Sequence, residues 1–123
     1  MINYILYVDD DRDDAEIFYE VVTTIYPAIK VTTVDNGRDA LDILSKHCPD
    51  MVFLDYKMPQ MNGIEVLEAI KKTTCNKTII VMYSDSRDGN YIEQCQKAGA
   101  FACWQKMTPD NLQSSLKKLH SED

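Results

Sequence analysis

Asp9, Asp10, Asp55, Ser84 and Lys106 have the side chains that phosphoryl chemistry needs. Each follows an apolar, strand-like run: Tyr4 to Val8, Met51 to Leu54, Thr78 to Tyr83, and Ala100 to Gln105. If these runs lie side by side in a parallel sheet, their ends meet on one edge, where open α/β sheets bind ligands. Three carboxylates brought together repel one another unless a cation joins them. A hard divalent ion with oxygen ligands, Mg²⁺, satisfies that requirement. Asp55 is then placed to attack a phosphoryl group and form an acyl phosphate. Lys106 supplies a point charge for the incoming phosphoryl oxygens, and the Ser84 hydroxyl a hydrogen bond. A phosphatase with an Asp9-x-Asp11 nucleophile is the weaker alternative, because such enzymes usually carry a cap or insert.

The segments between these runs have helical periodicity. Ala15, Phe18, Val22 and Ile25 share one helix face, and Pro27 ends that segment. Ala40, Leu41 and Leu44 mark a second helix up to His47, after an Asp35-Asn36-Gly37 turn. Ile64, Leu67 and Ile70 mark a third helix after Asn62-Gly63. Tyr91, Ile92, Cys95 and Ala98 mark a fourth, closed by Gly99. Thr108-Pro109-Asp110 opens the last helix, with Leu112, Leu116 and Leu119 inward. A further short strand is expected over Ile29 to Val34. Apolar strands alternating with amphipathic helices imply a parallel sheet covered on both faces. The expected fold is α/β: a flavodoxin-like doubly wound three-layer domain with five parallel strands in the order 2-1-3-4-5 and five helices.

The 123 residues suit one domain, read here as residues 1–123, and carry a formal net charge of −7. That charge argues against nucleic-acid binding, which needs a basic footprint. No apolar run approaches the ~20 residues of a membrane span, and the N-terminus lacks the pattern of a secretory signal. A cytoplasmic protein is expected. The cysteines at 48, 75, 95 and 103 form no Cys-x-x-Cys pair, and His47 and His120 complete no zinc pattern, so free thiols are expected. Asp11 or Asp13 is expected to cap the first helix. Trp104 and Tyr91 are read as packing residues. So are Met51, Met58, Met61 and Met82, as core or loop fillers.

Taken together and in this order, Val8-Asp9-Asp10-Asp11, Leu54-Asp55-Tyr56-Lys57-Met58-Pro59 with Asn62-Gly63, Tyr83-Ser84, Ala98-Gly99-Ala100 and Lys106 resemble the receiver domain of two-component response regulators. The resemblance covers essentially the whole chain. It implies that Asp55 is the phospho-acceptor, charged by a sensor histidine kinase, a phosphotransfer protein or a small phosphodonor. It implies that Asp10, Asp55 and the backbone carbonyl of Lys57 bind Mg²⁺, with Asp9 acting through a water. Ser84 and Lys106 would contact the phosphoryl group, and the Lys57 and Ser86 side chains would influence its lifetime. The implied role is a phosphorylation switch rather than a turnover enzyme. It would act without an attached output domain, on an unknown downstream protein, through the face of its fourth helix, fifth strand and fifth helix.

Two positions depart from the family pattern. Met107 stands where proline usually follows the lysine, and a cis bond before a non-proline residue costs ~2.5–4 kcal/mol. Either a trans peptide with a shifted Lys106 or a strained cis peptide is therefore expected. Cys103, next to Trp104, stands where an aromatic residue usually turns inward on activation. Cys103, Trp104 and Met107 together mark a possible variant switch. They also motivate an alternative reading: a degenerate receiver that works as a phosphorylation-independent adaptor.

Overall fold

The order of the elements follows from how the apolar residues are spaced. The computed structural model describes residues 2–86 and 89–121. It contains β1 (Tyr4–Val8), α1 (Arg12–Ile25), β2 (Lys30–Val34), α2 (Gly37–Lys46), β3 (Met51–Leu54), α3 (Gly63–Lys71), β4 (Ile79–Ser84), α4 (Gly89–Lys97), β5 (Ala102–Gln105) and α5 (Pro109–Ser121). The strands form one parallel sheet in the expected order β2-β1-β3-β4-β5.

The inner strands β1, β3 and β4 are apolar at nearly every position because both of their faces are covered. Leu6, Val8, Val52, Leu54, Ile80 and Met82 point toward α2, α3 and α4, where they meet Ala40, Leu44, Leu67 and Ile70. Tyr7, Phe53, Val81 and Tyr83 point the other way, onto Phe18 and Val22 of α1 and Leu112 and Leu116 of α5. The edge strands β2 and β5 are only partly buried.

Side-chain caps fix the helix starts. Asp11 caps α1 by accepting from the Asp13 and Asp14 N–H groups. Asn36 caps α2, so the expected Asp35-Asn36-Gly37 turn is also the helix entry. Asn62 and Glu65 form a reciprocal capping box on α3. The Thr108 hydroxyl accepts from Asn111 at the start of α5. Gly99, at φ +90°, closes the turn after α4 in a conformation that favours glycine. Of the methionines read as fillers, Met51, Met58 and Met82 are buried and Met61 is partly buried.

Two expectations fail. Ile92 is 41% exposed: the buried face of α4 is carried by Tyr91 and Cys95, and Ile92 falls on its outer flank. Cys48 and Cys75 are not free thiols but form a disulfide, with Cα atoms 5.4 Å apart. Cys48 precedes β3 and Cys75 precedes β4, and these strands are neighbours. The Thr78 hydroxyl donates to the Pro49 carbonyl at 2.7 Å between the same two loops. Adjacency of the strand entrances brings the two sulfurs together although 27 positions separate them. Cys95 and Cys103 remain free thiols.

Candidate functional site

Strand register sets the level of each candidate residue. Val8 pairs with Leu54, so Asp9 and Asp55 leave β1 and β3 side by side. Their backbones continue the ladder: Asp9 N–H donates to Val34 and Asp55 N–H donates to Val8. Leu54 pairs with Met82, and β4 runs two residues further to Ser84. Ser84 pairs with Gln105, and the N–H of Lys106 donates to the Ser84 carbonyl at 3.0 Å. The five sequence candidates therefore stand at one sheet edge.

Asp9 is 2% exposed and fully bonded. Its Oδ1 accepts from the Asp11 N–H at 2.9 Å, and its Oδ2 from the Tyr7 hydroxyl and the Lys106 ammonium, each at 2.8 Å. Asp10 faces outward and is exposed. Asp55 is buried, and its Oδ1 accepts from the Tyr56 N–H at 2.8 Å. Burial, reinforced by the charge of Asp9, pushes the Asp55 carboxyl up to about 7, against the lowering effect of Lys106 and the Ser84 hydroxyl. Ser84 is 2% exposed, and its hydroxyl accepts from the Ser86 N–H.

Among the described residues, Lys106 is the cation that contacts these acids. Its Nζ lies 2.6 Å from Asp14 Oδ2, 2.8 Å from Asp9 Oδ2 and 3.7 Å from Asp55 Oδ2. Burial opposes its charge, but the bonds to Asp14 and Asp9 and the Asp55 charge outweigh it and raise its basicity. No cis peptide occurs among the described residues, so Lys106–Met107 is trans. Met107 N–H donates to the Tyr83 hydroxyl at 3.3 Å, which anchors the chain after the lysine. Cys103 is half-buried, and the Tyr91 hydroxyl is buried beside the Cys103 and Cys95 thiols. Trp104 packs edge-on against Phe53. Tyr91 packs on Tyr56 with ring centres 4.6 Å apart, so both aromatics serve packing as expected.

Two members of the site do not stand out in the sequence reading. Tyr7 lies two positions before Asp9, on the same face of the strand, and this spacing is a usable signal. Asp14 lies in the first turn of α1, where an acid suits the positive end of the helix dipole and nothing in its spacing points to a partner. Side chains there lean back toward the helix N-terminus, and so toward the strand ends.

The loop after β3 folds back tightly on Asp55. Gly63 N–H donates to the Tyr56 carbonyl at 2.8 Å, and a Cβ at Gly63 would lie 2.2 Å from the Asp55 carbonyl oxygen. Only glycine admits that approach. Asp9, Asp10 and Asp55 each offer an oxygen within 4.8 Å of the others. An open cleft of about 410 Å³ beside Asp10 is lined by Tyr56, Lys57, Met58, Pro59 and Asn62. This all-oxygen donor set, open on one side, fits a hard divalent cation that keeps several waters.

The family model of the response regulator receiver domain spans residues 5–117, and the chain belongs to that family. Sporulation initiation phosphotransferase F of Bacillus subtilis is 36% identical over 84 residues, which cover 68% of this chain and 67% of that protein. A protein-glutamate methylesterase/protein-glutamine glutaminase of Clostridium acetobutylicum is 43% identical over 72 residues, covering 58% of this chain but 21% of that protein. Against this and two related methylesterases, the chain spans between 21% and 26% of their length. Among solved structures, the receiver domain of a DNA-binding response regulator from Colwellia psychrerythraea superposes with a TM-score of 0.85 at 26% identity. That superposition covers 97% of this chain and 98% of that one. The Mn²⁺-bound form of response regulator Rcp1 superposes with a TM-score of 0.83 at 20% identity, over 97% and 92% of the two chains, and shares the fold.

Proposed function

We propose that Asp55 accepts a phosphoryl group from a sensor histidine kinase or phosphotransfer protein. The resulting acyl phosphate changes a protein-binding face formed by α4, β5 and α5. The observation that carries this reading is the convergence of Asp9, Asp10, Asp55, Ser84 and Lys106, drawn from four strand ends, on one sheet edge.

In the transfer, a carboxylate oxygen of Asp55 forms a bond to phosphorus as the phosphorus–nitrogen bond of a phosphohistidine breaks. The bonding pair leaves with the imidazole. With a small donor such as acetyl phosphate, the phosphorus–oxygen bond breaks and acetate leaves. Asp55 Oδ1 is tied to the Tyr56 N–H, which orients the carboxylate and turns Oδ2 toward Lys106. The Ser84 hydroxyl and the Lys106 ammonium supply the donors for the phosphoryl oxygens. Asp9, Asp10, Asp55 and the Lys57 carbonyl would hold Mg²⁺. When bound, it neutralises charge shared between the acids and the phosphoryl oxygens. Ser84 lies on β4, next to β5, so its movement toward a phosphoryl group would reach Cys103 and Trp104 of the neighbouring strand.

The test is intact-mass measurement after incubation with acetyl phosphate or phosphoramidate and Mg²⁺. One labile phosphoryl group should be added to the wild type and none to Asp55→Asn. Equal labelling of the two proteins would remove Asp55 as acceptor. No labelling, together with no Trp104 fluorescence response to Mg²⁺ or beryllofluoride, would instead favour a phosphorylation-independent adaptor.

A further inference from the structure

The shortest contact of Lys106 is to Asp14, a residue the phosphoryl chemistry above leaves without a task. An ammonium carries three N–H donors. One is directed to Asp14 Oδ2 at 2.6 Å and one to Asp9 Oδ2 at 2.8 Å, while Asp55 Oδ2, at 3.7 Å, lies beyond hydrogen-bond reach. The lysine that should serve the acceptor is held to one side of it.

The two acids that hold it are not equivalent. The Asp9 side chain is fully enclosed, and Tyr7 and the Asp11 N–H fix both its oxygens. The Asp14 side chain is 31% exposed and can return to water if Lys106 leaves. Asp14 is placed there by the Asp11 cap, which accepts from its N–H at 3.1 Å and sets the first turn of α1. The pair spans 92 residues and joins α1 to the end of β5.

We infer that Asp14 is a positioning residue that holds Lys106 off Asp55 in the resting receiver and gives it up when Asp55 carries a phosphoryl group. The inference rests on the receiver reading above. Its physical basis is competition for one ammonium. A phosphoryl group carries more negative charge than a carboxylate and offers more acceptor oxygens, so it draws the lysine from the partner that is easiest to resolvate. The Asp14–Lys106 bond thus stabilises the resting form alone. Removing the Asp14 charge weakens the resting form without removing a contact of the phosphorylated one.

The experiment compares wild type, Asp14→Asn, Asp14→Glu and Asp13→Asn. Asp13 is an exposed acid in the same helical turn and has no lysine contact, so its variant removes the same charge from the same region. Beryllofluoride affinity in saturating Mg²⁺ is read from Trp104 fluorescence, and phosphoryl lifetime from the decay of the labelled mass. Asp14→Asn should bind beryllofluoride roughly threefold to tenfold more tightly and retain the phosphoryl group longer, the size expected for losing one partly exposed charged hydrogen bond. Asp13→Asn should match wild type, and Asp14→Glu should return toward it. Should Asp14→Asn fail to fold, Asp14→Ser carries the same expectation. A merely structural role would lower stability without tightening binding. Wild-type affinity and lifetime in Asp14→Asn, or weaker binding, overturns the inference while the receiver reading stands. A wild type that takes up neither beryllofluoride nor a phosphoryl group overturns both.

Discussion

Asp55 is held between opposing influences, and the balance has a measurable pH signature. Burial and the neighbouring Asp9 charge favour its neutral form, while Lys106 and Ser84 favour the anion, and the net effect lifts it to about 7. An unfolded aspartate titrates near 3.9. Between about pH 4 and pH 7 the folded protein therefore keeps a proton that the unfolded chain has lost. The stability this confers is complete below about pH 4 and is lost as pH rises through about 7. The Asp55→Asn variant has no such group. In divalent-free buffer its stability relative to wild type should grow across that window, to about 1–3 kcal/mol at pH 8. Urea unfolding of both proteins at several pH values measures the difference. A constant difference would mean that Asp55 titrates as an ordinary exposed acid. At this scale the candidate residues were legible because strand ends announce themselves: an apolar run stops at a charged or hydroxyl side chain. Asp14 was not, because its partner is 92 residues away and its local role as a helix-turn acid already accounts for it.

Elements were legible where one face of a segment had to be buried. The stripe Phe18–Val22 on α1 and the uninterrupted runs of β1, β3 and β4 leave little choice of structure. The cross-link between the loops entering β3 and β4 was not legible: the expected strand order makes those strands neighbours, but it does not say that the two loops bring Cys48 and Cys75 within the few ångströms a disulfide needs. The Cys48–Cys75 bridge ties two loops at the strand entrances, the end of the sheet opposite the acids. Closing a loop of 27 residues restricts the unfolded chain by roughly 3.5 kcal/mol on the chain-entropy account. Reduction, or Cys48→Ser, should therefore lower the urea midpoint by a corresponding amount, and the Cys48→Ser protein should no longer respond to reductant. The phosphorylation level reached with acetyl phosphate should not change, since β3 separates the bridge from Asp55. A reductant-insensitive midpoint in the wild type would show that the bridge does not form.

On the scale of the whole molecule, the net charge of −7 is unevenly spread. Asp9, Asp10, Asp11, Asp13, Asp14 and Glu16 crowd one end of the fold with Asp55, against Arg12 and Lys106. The positive end of the α1 dipole and the Asp11 cap offset part of this charge, but Asp10 and Asp13 stay exposed and unneutralised by contact with Lys106. Two kinds of salt should then act differently. Sodium chloride shortens the Debye length from about 30 Å at 0.01 M to about 10 Å at 0.1 M, and so weakens repulsion among exposed acids without reaching the buried Asp9 and Asp55. Magnesium chloride does the same and also supplies a cation that fits the three-carboxylate set. At matched ionic strength, magnesium chloride should raise the melting temperature several degrees further than sodium chloride, and Asp10→Asn should remove most of that excess. Identical melting curves in the two salts would show that the acidic end is an undifferentiated patch of charge with no cation site built into it.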